Sequence, residues 1–178
     1  MPNYLTLVRL LAIPVLACLI YQGEANYTMA FILFAAIWLT DLLDGYIARR
    51  FDQTSEFGKL FDPLVDKIFQ FTTAVMMCVV GRLPLWVPLF IFGKEILMII
   101  GSAVLFKKKR LVVFAAWYGK IATFLFVLAF SSLFFLPEDR LNWAHYIFIV
   151  PVGWSLYAYF CYGLKYLWPL WRKQKSVG

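Results

Sequence analysis

The sequence predicts an all-α polytopic membrane protein with about six transmembrane helices and both termini in the cytoplasm. Three observations predict it. Of the 178 residues, 63% are hydrophobic and 20% aromatic, and the mean hydropathy is +0.76. Charged residues make up 15%, against about 25% in soluble domains. The apolar residues gather into six long runs, each near the ~20 residues that carry a helix across a ~30 Å hydrocarbon core. A soluble core of this length cannot hide so much apolar surface, so lipid is the solvent. No polar stretch is long enough to be a linker, and residues 1–178 are expected to form one domain.

The first run covers Tyr4–Tyr21 and holds Arg9. The preceding Met-Pro-Asn lacks the basic n-region of a cleaved signal, so this run is expected to stay as a helix. The second covers Tyr27–Ile47 and ends in Asp41 and Asp44. The third, Leu60–Val80, begins with Asp62 and Asp66. The fourth, Leu85–Phe106, contains Lys94-Glu95, the fifth is Gly119–Leu136, and the sixth Ala144–Trp168. Continuous apolar runs lack the alternation of a membrane β-barrel, so helices are the remaining spanning structure.

The net charge of +7 does not point to nucleic acid, because the basic residues stand between and after apolar runs, where anionic headgroups lie. One set of loops holds Arg49, Arg50, Lys59, Lys107, Lys108, Lys109 and Arg110, and the tail adds Arg172, Lys173 and Lys175. The opposite set has Arg82 and Arg140 beside Glu24, Glu138 and Asp139. The positive-inside rule therefore places both termini and the aspartate-bearing loop in the cytoplasm of a multi-pass protein. The Lys107–Arg110 cluster reads first as a topology determinant, with an anion site as the competing reading. Cys18, Cys78 and Cys161 lie in separate runs without ligand spacing and read as core or lipid-facing residues. Trp86, Trp117, Trp143, Trp168 and Trp171, near span ends, read as an interfacial belt. His145 falls on the far side and is given no catalytic role.

The informative segment runs from Asp41 to Asp66. Asp41 and Asp44 are three residues apart and share a helix face, as do Asp62 and Asp66 at a spacing of four. The short connection makes these helices antiparallel neighbours, so the four carboxylates converge near the cytoplasmic boundary. Each aspartate at membrane depth costs ~2.5–3.5 kcal/mol, and four together repel one another. Divalent cations answer both costs: all-oxygen donors suit Mg²⁺, Mn²⁺ or Ca²⁺, and no histidine or cysteine is near to favour zinc. The competing reading makes them caps and interfacial charges, with Asp62-Pro63 opening a helix. It accounts for one aspartate more easily than for four in helical pairs on adjacent spans. Between the pairs, Gly45 and Ala48 are small enough for a ligand to approach the backbone. Arg49 offers a planar donor fork for phosphate. Thr54 and Ser55 offer hydroxyls, and Gly58 permits close packing. Carboxylates, hard cations and an arginine describe a pyrophosphate site, and the fitting chemistry is phosphoryl transfer.

The pattern Asp41-x2-Asp44-Gly45-x2-Ala48-Arg49-x8-Gly58-x3-Asp62-x3-Asp66 resembles the full signature of the CDP-alcohol phosphotransferases in every fixed position and spacing. The resemblance implies that Asp41, Asp44, Asp62 and Asp66 bind two divalent metal ions, Mg²⁺ or Mn²⁺, gripping the CDP pyrophosphate. Gly45, Ala48, Arg49, Gly58 and Ser55 would contact the CDP part. Asp66 would double as the catalytic base that takes the proton of the attacking hydroxyl. It implies a homodimer in the cell (inner or plasma) membrane, its site facing the cytoplasm.

The start, Pro2 to Arg9 with Pro14, and the stretch Phe57–Lys67 are similar to phosphatidylglycerophosphate synthases and related cardiolipin synthases. On that likeness Asn3 and Thr6 lie near CDP-diacylglycerol and Arg9 meets a phosphate. The expected reaction moves a phosphatidyl group from CDP-diacylglycerol to glycerol 3-phosphate, giving phosphatidylglycerol phosphate and CMP. A small phosphorylated alcohol needs a basic pocket, for which Arg9, Lys94, Arg110 and Lys120 are the candidates. Lys94 is also explained by an ion pair with Glu95 or another span, and Lys120 by snorkelling to the interface. Phosphatidylglycerol, serine and inositol phosphate are the alternative acceptors. A metal or proton transporter also buries carboxylates, but neither the paired repeats nor the midplane-broken helices of that class stand in this sequence.

Overall fold

The computed structural model describes residues 2–51, 56–109 and 117–162, with the side chains of 6–43, 64–100, 117 and 119–161. The described residues hold six α-helices: α1 Pro2–Tyr21, α2 Tyr27–Phe51, α3 Glu56–Val79, α4 Trp86–Lys109, α5 Trp117–Leu133 and α6 Trp143–Tyr162. Short 3-10 turns, Glu24–Asn26 and Glu138–Arg140, join α1 to α2 and α5 to α6. No strand occurs among the described residues. Each helix falls on one of the six apolar runs, and the end of the sixth run, at Trp168, lies outside the described residues. α2 and α3 are longer than expected at their facing ends, which carry Arg49, Arg50, Glu56 and Lys59. Charged, helix-forming residues can continue a helix once it leaves an apolar layer.

Each helix buries a stripe at the 3.6-residue period. On α1 it is Thr6, Arg9, Ile13, Leu16 and Ile20; on α2, Ala30, Phe34 and Ile37; on α3, Val65, Phe69, Thr73 and Met77. α5 contributes Phe126, Phe130 and Leu133, and α6 Ala144, Phe148, Ser155 and Ala158. α1 packs on α2 and α3, α3 on α4, and α5 on α6. Phe34 ties the halves together: its ring meets Phe69 at 5.1 Å, Phe134 at 5.5 Å and Phe130 at 6.5 Å. Phe130 in turn meets Phe148 edge-on at 5.1 Å.

The outer faces are apolar too. Leu7, Val8, Leu11 and Val15 on α1 and Leu97, Ile99 and Ile100 on α4 are each more than half exposed, a distribution that lipid favours and water penalises. Glu24–Leu43 and Trp143–Cys161 are long and apolar enough to cross a membrane, and Thr6–Tyr21 and Gly119–Leu133 are shorter apolar helices.

One end of the bundle is tied by Arg82. α3 stops in a Schellman turn: Gly81 adopts φ 76°, its N–H donates to the Cys78 carbonyl, and the Arg82 N–H donates to Met77 at 2.9 Å. The buried Arg82 guanidinium then donates to the carbonyls of Leu133 (2.6 Å) and Leu136 (2.9 Å), and to Glu24 (3.1 Å). It also lies over the Tyr27 ring at 4.3 Å. The ends of α1, α3 and α5 and the start of α2 are thus gathered around one cation. At the same end the Trp86 indole donates to His145 Nδ1 at 3.2 Å, linking the starts of α4 and α6. The helices therefore alternate in direction, and His145 lies away from the aspartates.

Candidate active site

At the other end the buried stripes stop being apolar. On α1 the stripe carries Arg9 between Thr6 and Ile13, and the α2 stripe of Phe34 and Ile37 continues to Asp41. The α3 stripe of Thr73 and Phe69 continues to Asp66. Helical periodicity thus delivers one charged residue from each of three helices to a common point. The Arg9 guanidinium, only 4% exposed, pairs through Nη1 with Asp41 Oδ1 and reaches Asp66 Oδ1 at 3.4 Å. Both carboxylates keep an exposed side, at 35% and 47%, so a ligand has access to them.

Beside this triad lies a second. Lys67, next to Asp66 on α3, pairs with Glu95 Oε2 on α4. Lys94 pairs with the other oxygen, Oε1, at 2.6 Å. The Lys94 ammonium lies 5.8 Å from the Phe126 ring centre on α5, and the Tyr159 hydroxyl on α6 donates to the Lys94 carbonyl at 3.3 Å. Three cations and three anions therefore meet across α1 to α4, with α5 and α6 packed behind.

The placement of the expected site residues follows. Asp41, Asp66 and Arg9 come together, and Thr6 is buried one turn before Arg9. Lys94 joins through Glu95 and Lys67, in the ion-paired arrangement weighed for it. Lys120 is exposed on α5 with its ammonium over the Trp117 ring at 5.7 Å, as a snorkelling lysine would be. Asn3 lies on α1, Asp44, Gly45, Ala48 and Arg49 on α2, and Gly58 and Asp62 on α3, with side chains outside the described residues. Ser55 and Arg110 lie outside the described residues altogether. Lys67, Glu95 and Tyr159 were not among the expected site residues. Lys67 was legible as a charge beside Asp66, whereas nothing in the sequence marks Tyr159.

Asp44 is one helical turn beyond Asp41 and Asp62 one turn before Asp66. Among the described residues no three acidic, histidine or cysteine side chains form a metal group; those residues include the side chains of two of the four aspartates. The donor set nevertheless fits hard divalent cations. It offers carboxylate oxygens alone, and its two described members already converge on one cationic group, the Arg9 guanidinium.

A family model described as CDP-alcohol phosphatidyltransferase matches residues 1–157. The chain belongs to that family. Among the chain's curated relatives, a "probable phosphatidylglycerophosphate synthase" of Mycobacterium tuberculosis is 34% identical over 140 residues, 76% of this chain and 65% of the relative. The chain thus spans just under two thirds of that relative's length. The CDP-diacylglycerol–glycerol-3-phosphate 3-phosphatidyltransferase of Aquifex aeolicus is 33% identical over 143 residues, 79% of each chain. The cardiolipin synthase (CMP-forming) of Streptomyces coelicolor is 29% identical over 174 residues, 93% of this chain and 80% of the relative.

Proposed function

We propose that this phosphatidyltransferase moves the phosphatidyl group of CDP-diacylglycerol to glycerol 3-phosphate, giving phosphatidylglycerol phosphate and CMP. The observation that carries the reading is the convergence of Asp41 and Asp66, from two helices, on one cationic group at the polar end of an apolar bundle. The acceptor rests on the adjoining Lys67 and Lys94, which give a phosphate monoester a basic neighbourhood, and on two of the relatives' names.

In the proposed reaction the acceptor hydroxyl oxygen attacks the phosphorus that bears diacylglycerol. The bond from that phosphorus to the bridging oxygen breaks, and CMP leaves with the electron pair. Asp66 accepts the hydroxyl proton, its half-exposed carboxylate lying beside the lysines that would hold the acceptor. Asp41, Asp44, Asp62 and Asp66 would hold two Mg²⁺ or Mn²⁺ ions, which when bound neutralise the pyrophosphate and the charge on the leaving group. Arg49, Ser55, Gly45, Ala48 and Gly58, with Asn3 and Thr6, would seat the CDP-lipid. Arg9 sets the spacing of Asp41 and Asp66.

The proposal places six spans in the cell membrane, both termini and the site facing the cytoplasm, on the strength of the lysine and arginine distribution. Pairing into a homodimer is carried over from the family resemblance alone. A second acceptor, phosphatidylglycerol, is favoured by the likeness to a cardiolipin synthase over 93% of the chain. The test is CMP release by purified protein in detergent with CDP-diacylglycerol and Mg²⁺ or Mn²⁺, acceptors offered singly, beside Asp66→Asn. Release with glycerol 3-phosphate alone, lost in the variant, supports the proposal. Release with phosphatidylglycerol alone replaces the acceptor, and no release with any acceptor overturns the reaction.

A further inference from the structure

Two lysines from different helices share one carboxylate in the second triad. Glu95 is 18% exposed and gives one oxygen to Lys67 and the other to Lys94. The pair of ammonium groups thus surrounds a planar, two-oxygen anion, and one positive charge is left over within the triad. A phosphate monoester presents the same oxygen edge with a larger negative charge, so it meets this pair of lysines better than the carboxylate does. The site lies one residue along α3 from Asp66. Lys94 is held from behind by the Phe126 ring and by the Tyr159 hydroxyl on its own carbonyl, so its helix does not have to move when the anion changes.

We propose that Glu95 is a stand-in anion: its carboxylate occupies the phosphate position between Lys67 and Lys94 and is displaced when a phosphorylated acceptor binds. Glu95 is then a specificity-determining residue that acts through the lysines. It offsets one of the two ammonium charges before the acceptor binds, and it must be outcompeted, which a neutral or zwitterionic alcohol cannot do. The inference rests on the proposed acceptor class, and its test separates the two.

The experiment measures CMP release by purified wild-type protein, Glu95→Gln, Lys67→Met and Lys94→Met against glycerol 3-phosphate and, separately, against CDP-diacylglycerol. A second readout, free of catalysis, is the thermal stabilisation of each protein by glycerol 3-phosphate without CDP-lipid. Removing the competing charge should lower KM for glycerol 3-phosphate by about tenfold in Glu95→Gln, the order of one charge-assisted contact exchanged. The same variant should show half-maximal thermal stabilisation at a correspondingly lower glycerol 3-phosphate concentration. The lysine variants should raise that KM by about tenfold or more, with KM for CDP-diacylglycerol little changed. A raised or unchanged KM for glycerol 3-phosphate in folded Glu95→Gln, while wild type uses that acceptor, overturns the stand-in role and leaves the reaction intact. If Glu95→Gln does not fold, Lys67→Met and Lys94→Met decide: a KM for glycerol 3-phosphate at the wild-type value in both overturns it. Wild type that releases CMP only with an unphosphorylated acceptor overturns the proposed acceptor and the inference together.

Discussion

Replacing Arg9 with methionine removes a cation that Asp41 and Asp66 share, and the geometry sets the size of the effect. At the 3.4 Å separation from Asp66, a unit charge pair is worth roughly 5 kcal/mol at an effective dielectric of 20 and about 1 kcal/mol in water. Asp41 and Asp66 are 35% and 47% exposed, which moves the net value toward the lower figure through solvent screening, to about 2 kcal/mol. In a chelator, Arg9→Met should therefore unfold roughly 4–8 °C below wild type, by the scaling of globular chains of this size. Mn²⁺ or Mg²⁺ should recover most of that gap, because a divalent cation answers the same two carboxylates. The assay is thermal unfolding in detergent, with EDTA and with each metal. Equal stability of variant and wild type in EDTA would refute the counter-ion role. A gap that persists unchanged in saturating Mn²⁺ would refute the claim that Arg9 and the metals answer the same charge.

Further expectations concern the base, the far end of the bundle, its centre and its orientation. Asp66→Asn should lower kcat for CMP release by about 10²–10⁴, the usual worth of general base catalysis, in protein whose elution profile shows it folded. Arg82→Ala strips donors from the Leu133 and Leu136 carbonyls and a partner from Glu24. It should cost about 2–4 kcal/mol, read by thermal unfolding, with Arg82→Lys recovering part. Phe34→Ala opens a hole among Phe69, Phe130 and Phe134 and should cost about 3–5 kcal/mol in the same measurement. For orientation, an impermeant maleimide applied to intact cells should label His145→Cys and leave Lys120→Cys unlabelled in a cysteine-free background; the reverse pattern would invert the topology.

Much of this architecture can be read from residue order, because each helix is announced by a continuous apolar run and each break between runs by polar, charged, Gly or Pro residues. The near coincidence of α1, with its end at Tyr21, and of the start of α2 at Tyr27 shows how sharply the loss of hydrophobicity marks a boundary. The aspartate spacing alone likewise puts Asp41 and Asp66 on facing helices. Partnerships between distant residues are another matter. Arg9 looks like a phosphate ligand when only its neighbours in the chain are considered, yet its guanidinium lies against carboxylates 32 and 57 positions away. Lys67 and Glu95 meet because α3 and α4 pack together, and periodicity gives each helix a face without saying which residue of another helix will oppose it. Arg82 reads as a loop charge, but a Schellman turn at Gly81 swings it onto the carbonyls at the end of α5.

That arginine knot has a consequence for biogenesis. Its donors are satisfied by the chain's own carbonyls and by Glu24, so the knot closes without substrate, metal or lipid of any particular kind. The end that holds the proposed site, by contrast, is built from charges whose partners the proposed reaction would exchange. A newly inserted chain can thus complete its fold from the end remote from the proposed chemistry before any nucleotide arrives. Mutations that silence the reaction at Asp66 should leave a protein that accumulates in membranes at ordinary levels, whereas mutations of Arg82 should deplete the protein itself, so that abundance alone sorts the two kinds of loss.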